Sequence, residues 1–226
     1  MKKNIILVSY MIFISIFNII FLNINFKFID TCNLMFYNYK SFFNYELNTF
    51  TPQYLISFYL FSVFILNIIN SDMNDNSSFY DMIVYRIGKK NTIKRLLKNT
   101  LIKILKIYFL VIIYIVILNI FMNNIEFTQK ILLDFISFSV FLIKYFSIVF
   151  LLTLKSSFDI VNGEFSKGFA KLNISIFIFI FIDIILQTNL ITFSGDLTTE
   201  FIYLTLCIVL INIYYYFKVI RGGKND

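Results

Sequence analysis

Apolar residues run along this chain in six long blocks separated by shorter polar connections: Ile5 to Leu22, Tyr54 to Ile69, Ile107 to Phe121, Phe135 to Leu154, Leu172 to Leu190 and Phe201 to Phe217. The third is apolar on one face already from Leu101, so that span covers 101–121. A hydrocarbon core of ~30 Å takes about 20 helical residues, fewer where flanking side chains snorkel or the bilayer thins. Each block is therefore a candidate span. The pattern predicts an all-α, six-transmembrane-helix polytopic protein with residues 1–226 in a single transmembrane domain.

Polar positions between the blocks add an orientation. The amino end (Lys2, Lys3), the second connection (Arg86, Lys89, Lys90, Lys94, Arg95, Lys98, Lys103, Lys106), the fourth (Lys155, Lys167, Lys171) and the tail (Lys218, Arg221, Lys224) hold sixteen of the twenty cations. The opposite side has Lys27, Lys40 and Lys130. Cationic connections are retained in the cytoplasm, so both termini are expected there. The net charge of +7 then reflects membrane boundaries and anionic lipid, and nucleic acid is not expected as a partner.

The cytosolic connection 71–100 carries local signals of its own. Ser78 followed by Asp81 gives a reciprocal cap, the hydroxyl taking an orphan N–H and the acid favouring the positive helix end. Gly88 supplies the left-handed residue that ends such a helix, so Phe79 to Ile87 is expected as a short helix. Asn91 or Thr92 can cap a second one. In it Ile93, Leu96, Leu97, Leu101 and Ile104 share a face opposite Lys94, Arg95, Lys98 and Lys106, and that helix is expected to lie along the membrane surface before the chain turns into span three. Such a basic connection can be no more than an orientation anchor. Alternatively, the first helix is a docking element whose Phe79, Tyr80, Met82 and Tyr85 enter a groove on a cytosolic partner.

Composition mostly excludes. The chain has no histidine and no tryptophan, so a histidine-based triad and a His-ligated zinc site are absent, and no catalytic or metal-ligating residue is expected. A phosphate-cradling loop needs G-x-x-x-x-G-K-[ST]. Gly163 and Gly168 have the spacing, but Phe169 and Ala170 follow, so the chain is expected to be no enzyme and to hold no cofactor. Of the two cysteines, Cys32 is placed outside and Cys207 within the sixth span, which implies no disulfide framework. Asn23, Asn25 and Phe26 follow the first block where a signal-peptidase site would need small residues, so the block is expected to be retained as a span.

Two ionisable residues fall inside spans, at about 2.5–3.5 kcal/mol each by insertion scales. Lys144 lies near the middle of span four, and Asp183 lies roughly 10 Å from the outer end of span five at 1.5 Å per residue. They are candidates for an intramembrane charge pair that fixes register, or for a substrate path or subunit interface. The outer connection Asn23 to Pro52 is dense in aromatics, among them Phe26, Phe28, Phe36, Tyr37, Tyr39, Phe42, Phe43 and Tyr45. It reads as an interfacial segment on the outer leaflet or as a peptide- or lipid-sensing surface.

The order of these parts resembles the ABC-2-type permeases, the membrane subunits of bacterial ATP-driven exporters, and in particular the small six-span forms serving peptide or antibiotic export. The stretch Val84-Tyr85-Arg86-Ile87-Gly88-Lys89-Lys90 is similar to the Arg-aromatic/aliphatic-Gly-basic pattern seen in many members of that family just before span three. The resemblance implies a coupling helix resting on a separate ATPase, with Ser78, Phe79, Tyr80, Asp81, Met82, Tyr85, Arg86, Gly88, Lys89 and Lys90 at the contact. It further implies two ATPase copies that bind the ATP and Mg, a second permease subunit, identical or paralogous, surrounding membrane lipid, and a hydrophobic or amphipathic peptide as cargo. Two other classes fit the same spans: a non-transporting membrane immunity protein, and a substrate-binding membrane component of a vitamin importer. The importer is disfavoured by a first span lacking small-residue stripes.

Overall fold

The computed structural model describes residues 5–13, 16, 43–44, 49–50, 59–69, 77–121, 129–161, 165–186, 190–191, 193–194 and 196–217. The lysines of the two ends, Cys32, Gly163 and nearly all of the aromatic outer connection lie outside these residues, as do the side chains of Ser77 to Asp81. Helix α1 covers residues 5–13. The pair β1 (Phe43–Asn44) and β2 (Thr49–Phe50) is a minimal antiparallel ladder with Phe43 opposite Phe50. Helices α2 (Tyr59–Ile69), α3 (Ser77–Ile87), α4 (Lys89–Phe121), α5 (Gln129–Val161), α6 (Phe165–Leu186) and α7 (Leu197–Tyr215) complete the described chain.

Among the described residues, three helices are long and apolar enough to cross a membrane: α4 over Lys89–Ile120, α5 over Leu132–Lys155, and α7. Shorter apolar helices occupy Tyr59–Ile69 and Ile174–Asp183. These lengths and compositions are those of a helical, membrane-embedded protein. Helix α5 is the centre of the bundle, with 61% of its apolar window buried, against 22% for α4 and 17% for α7. It packs on α4, α6 and α7, and reaches α2 through Phe61 and Tyr145. The outer faces of α4 and α7 are rows of exposed aliphatics and Phe, such as Leu105, Phe109, Ile113 and Ile117, or Ile202, Leu206 and Val209. Hydrocarbon is as good a solvent for such side chains as a protein core.

The larger of two core clusters among the described residues runs through the bundle. Leu7 and Met11 of α1, Phe61, Ile65 and Leu66 of α2, Val111 and Ile115 of α4 and Ile176 and Ile180 of α6 gather around Phe138, Phe141, Leu142, Tyr145 and Val149 of α5. Aromatic contacts tie the shorter helices in, Tyr10 with Phe64 at 4.8 Å and Tyr59 with Phe177 at 5.6 Å between ring centroids.

The structure departs from the sequence expectation at α4. No surface helix turns into span three: the basic stretch and the apolar stretch are one helix of 33 residues, about 50 Å long at 1.5 Å per residue and so longer than the ~30 Å core. Its amphipathic half does not need the lipid surface, because Ile93, Leu96 and Leu97 bury against Leu154 of α5, with Val84 of α3 and Tyr214 and Tyr215 of α7 around them. A protein partner on that face removes the break that a membrane-lying helix would need. Lys103 explains why the basic half can approach the bundle, since its Nζ donates to the Ile69 carbonyl at 2.9 Å. The bond ties the basic half of α4 to the backbone of α2.

Candidate functional site

Two groups of residues stand out, one exposed and one sealed in the bundle. The exposed one is the α3–α4 junction. Helix α3 ends where expected: Gly88 has φ +77 and its N–H donates to the Val84 carbonyl at 2.9 Å. With no Cβ, glycine takes this left-handed conformation without strain. Nothing lies within 4 Å of a Cβ built at Gly88, so the requirement is conformational rather than one of space. Gly88→Ala is therefore expected to cost about 1–2 kcal/mol, the left-handed penalty for an L-residue, with no rearrangement nearby; comparing thermal unfolding of the two proteins in detergent measures it.

Asn91 and Thr92 do something other than cap. Helix α4 starts at Lys89, so both lie within its first turn, and they point backwards: Asn91 Nδ2 donates to the Ile87 carbonyl at 3.0 Å and Thr92 Oγ1 to the Gly88 carbonyl at 2.9 Å. Asn91 thus reaches the last carbonyl of α3 across Gly88, while Thr92 adds its hydroxyl to the Gly88 carbonyl that its own N–H already meets. Val84 anchors α3 against the Leu97–Leu154 cluster, while Met82, Tyr85, Arg86, Lys89 and Lys90 face outward. Tyr85 is 92% exposed and Met82 67%. A large aromatic and a thioether held in solvent on an anchored helix form a surface suited to a protein groove.

The sealed group centres on Lys144, the thirteenth residue of the 24-residue candidate span Leu132–Lys155 of α5. Its Nζ lies 2.8 Å from Oε2 of Glu200, and both side chains are fully buried. Phe141 and Tyr203 present their rings to the ammonium at 5.2 and 5.7 Å, a favourable arrangement for a desolvated cation. Oε1 of Glu200 accepts from the N–H and hydroxyl of Ser194 at 2.7 and 2.8 Å. Asp183, also buried, accepts from the N–H groups of Leu190 and Ile191, and its charge acts on the same ammonium.

These carboxylates organise the connection between α6 and α7 as well as the cation. Its backbone donors would be orphans in an apolar bundle, and irregular backbone is tolerated at membrane depth only where protein satisfies it. Asp183 and Glu200 do so at 190, 191 and 194. The side chains follow, Ile191 and Phe193 being buried and Phe193 packing on Phe138 and Phe141 at 5.8 and 5.2 Å. Lys144, Asp183 and Glu200 thus join α5, α6 and α7 at one level.

Glu200 was not legible as a site residue because the apolar run starts one position later, at Phe201. The signal lay in its spacing: Glu200, Leu204 and Cys207 fall at i, i+4 and i+7, on one helical face, and all three are buried. Asp196 sets where that helix begins, its carboxylate accepting from Thr199 N–H and from the hydroxyls of Thr198 and Thr199. Those hydrogen bonds hold the exposed Asp196 carboxyl well down, from 3.8 to about 2. Because the folded-state value is the lower one, the cap's contribution is complete above about pH 4 and fades as pH falls through 2. Asp196→Ala is expected to cost ~1 kcal/mol at neutral pH, the usual scale for an N-cap, and to narrow its gap to the parent protein in acid; melting temperatures at pH 7 and pH 2 test both.

Among the described residues no group of three or more His, Cys, Asp or Glu could hold a metal ion. The described residues thus hold a buried ion-pair cluster and an exposed helix joined through Gly88 to α4. The chain matches no protein-family model, no curated protein and no solved structure.

Proposed function

We propose that this protein is the membrane subunit of a multi-component ATP-driven exporter of the ABC-2 type, a six-span, multi-pass protein of the bacterial plasma membrane with both ends in the cytosol. The α3–Gly88–α4 junction carries this reading. A short helix presenting Met82, Tyr85 and Arg86 is anchored by Val84 and joined through one glycine to a helix continuous across the bilayer. Force applied at α3 reaches the span without a flexible linker. Its partners are two copies of an ATPase carrying the nucleotide and Mg, and a second permease, identical or paralogous. The mostly exposed α4 and α7 faces leave room for the latter. The cargo is a hydrophobic or amphipathic peptide, as the family resemblance implies; this chain supplies the passage and the docking surface, and no catalysis.

The reading requires α3 to lie in the cytosol. A Tyr85→Cys variant in a background with Cys32 and Cys207 changed to Ser should react with a membrane-impermeant maleimide in inverted vesicles and not in intact cells. Labelling in intact cells would remove the ATPase from reach and end the proposal. Purification of the parent protein in mild detergent should also bring down a nucleotide-hydrolysing subunit, whereas a chain that always purifies alone points to the immunity-protein alternative.

A further inference from the structure

A groove of about 530 Å³ opens between α4, α5 and α7, lined by Leu101, Leu105 and Tyr108, by Phe146 and Phe150, and by Ile208 among others. Its size lies within the roughly 300–1,000 Å³ of ordinary ligand sites. Besides the Tyr108 hydroxyl, two polar side chains reach its wall, and both donate to their own helices: Ser147 Oγ to the Ile143 carbonyl at 2.7 Å and Asn212 Nδ2 to the Ile208 carbonyl at 2.9 Å. The wall therefore offers mostly hydrocarbon contact. Lys144 and its acids take no part in the lining.

Charge enters at one end. On α4, Lys94, Lys98, Leu101 and Leu105 follow one another at spacings of four, three and four residues, a single stripe on the helix surface. Both lysines are exposed. Lys98 stands about 4.5 Å and Lys94 about 10 Å below Leu101 along the axis at 1.5 Å per residue, the depth over which lysine stems snorkel to a headgroup layer.

From this combination we infer that the groove is a binding site for an anionic phospholipid, one acyl chain lying along Leu101, Leu105, Tyr108 and Phe146 and the headgroup phosphate held by Lys94 and Lys98. A neutral lipid would fill the groove but leave the lysine stripe unused, and a second copy of the chain would bring an equal positive stripe against this one. Basic residues beside an interhelical slot at the membrane boundary provide the electrostatic attraction that anionic headgroups need. The site depends on neither the transport reading nor the side of the membrane on which α3 lies.

The experiment uses the full chain in nanodiscs with spin-labelled phosphatidylglycerol or phosphatidylcholine. The expected result is a motionally restricted population several-fold richer in phosphatidylglycerol, with the preference falling as salt is raised. The Lys94→Gln/Lys98→Gln double variant should bring the two lipids to parity while keeping the restricted population. Ser147→Trp, which fills the groove from α5, should shrink that population without changing the salt dependence of what remains. Equal restriction of the two lipids in the parent protein overturns the assignment. So does an unchanged phosphatidylglycerol population in Ser147→Trp, or a disulfide between two copies through Leu105→Cys that excludes the lipid. Circular dichroism of each variant confirms that it is folded before the lipid result is read.

Discussion

Glu200→Ala is expected to be the most damaging single substitution in this chain, costing about 3–5 kcal/mol, the scale seen when one partner of a buried ion pair is removed. Two losses add. The Lys144 ammonium keeps its place among Phe141, Tyr203 and the core without the carboxylate at 2.8 Å, and the Ser194 N–H and hydroxyl lose their acceptor. Glu200→Gln restores an acceptor for Ser194 but no charge for Lys144, so it should recover only part of the loss. The informative comparison is Lys144→Met with Glu200→Gln. If the pair acts as a unit, the double variant should be more stable than the Glu200→Gln single variant, since the desolvated cation has gone with its partner. Thermal unfolding in detergent, followed by the accessibility of Cys207, which is buried in the core beside α5, reads all four proteins. A double variant no better than the worse single one would mean that Lys144 is held by groups other than Glu200. Asp183, whose charge acts on the same ammonium, is then the residue to change next.

Arg86→Glu has the largest effect expected on activity. Arg86 lies in the last turn of α3, on its exposed side, where a cation also favours the negative helix end. Reversing it puts a like charge against the acidic surface expected of the ATPase, and a mismatched charge at an interface costs several kcal/mol. Association should therefore weaken by more than about tenfold at 1.4 kcal/mol per decade, with export lost to match. Because the side chain is solvated in the free protein, the variant should still enter the membrane at normal levels and unfold at nearly the same temperature. Raising the salt concentration should weaken the parent complex as well. Full export by a normally inserted Arg86→Glu chain would remove α3 as the coupling surface.

The legible part of this protein was that governed by local rules. Hydropathy blocks located the long helices, and Gly88 located the end of α3 because only a residue without Cβ takes φ +77 freely. What escaped was decided by neighbours distant in sequence. The amphipathic stretch Ile93 to Ile104 is equally compatible with a lipid surface and with a protein face; Leu154, more than fifty positions on, selects the second. Lys144 was recognisable as a charge inside a span with Asp183 as its expected partner, whereas the ion pair seen is with Glu200, which follows from where α7 starts. Asp196 moves that start to Leu197 and so brings Glu200 into the helix and onto its buried face. The carboxylate of Asp183 was noticed for its charge, while its use as an acceptor for the Leu190 and Ile191 N–H groups depends on a connection whose path composition does not reveal.

The uninterrupted run of α4 from Lys89 to Phe121 has a mechanical corollary. A rod of about 50 Å at 1.5 Å per residue that pivots near its base by about 10° sweeps its far tip through roughly 9 Å. A small rotation where Gly88 meets Lys89 would thus arrive at the opposite leaflet magnified, with no hinge along the way to absorb it.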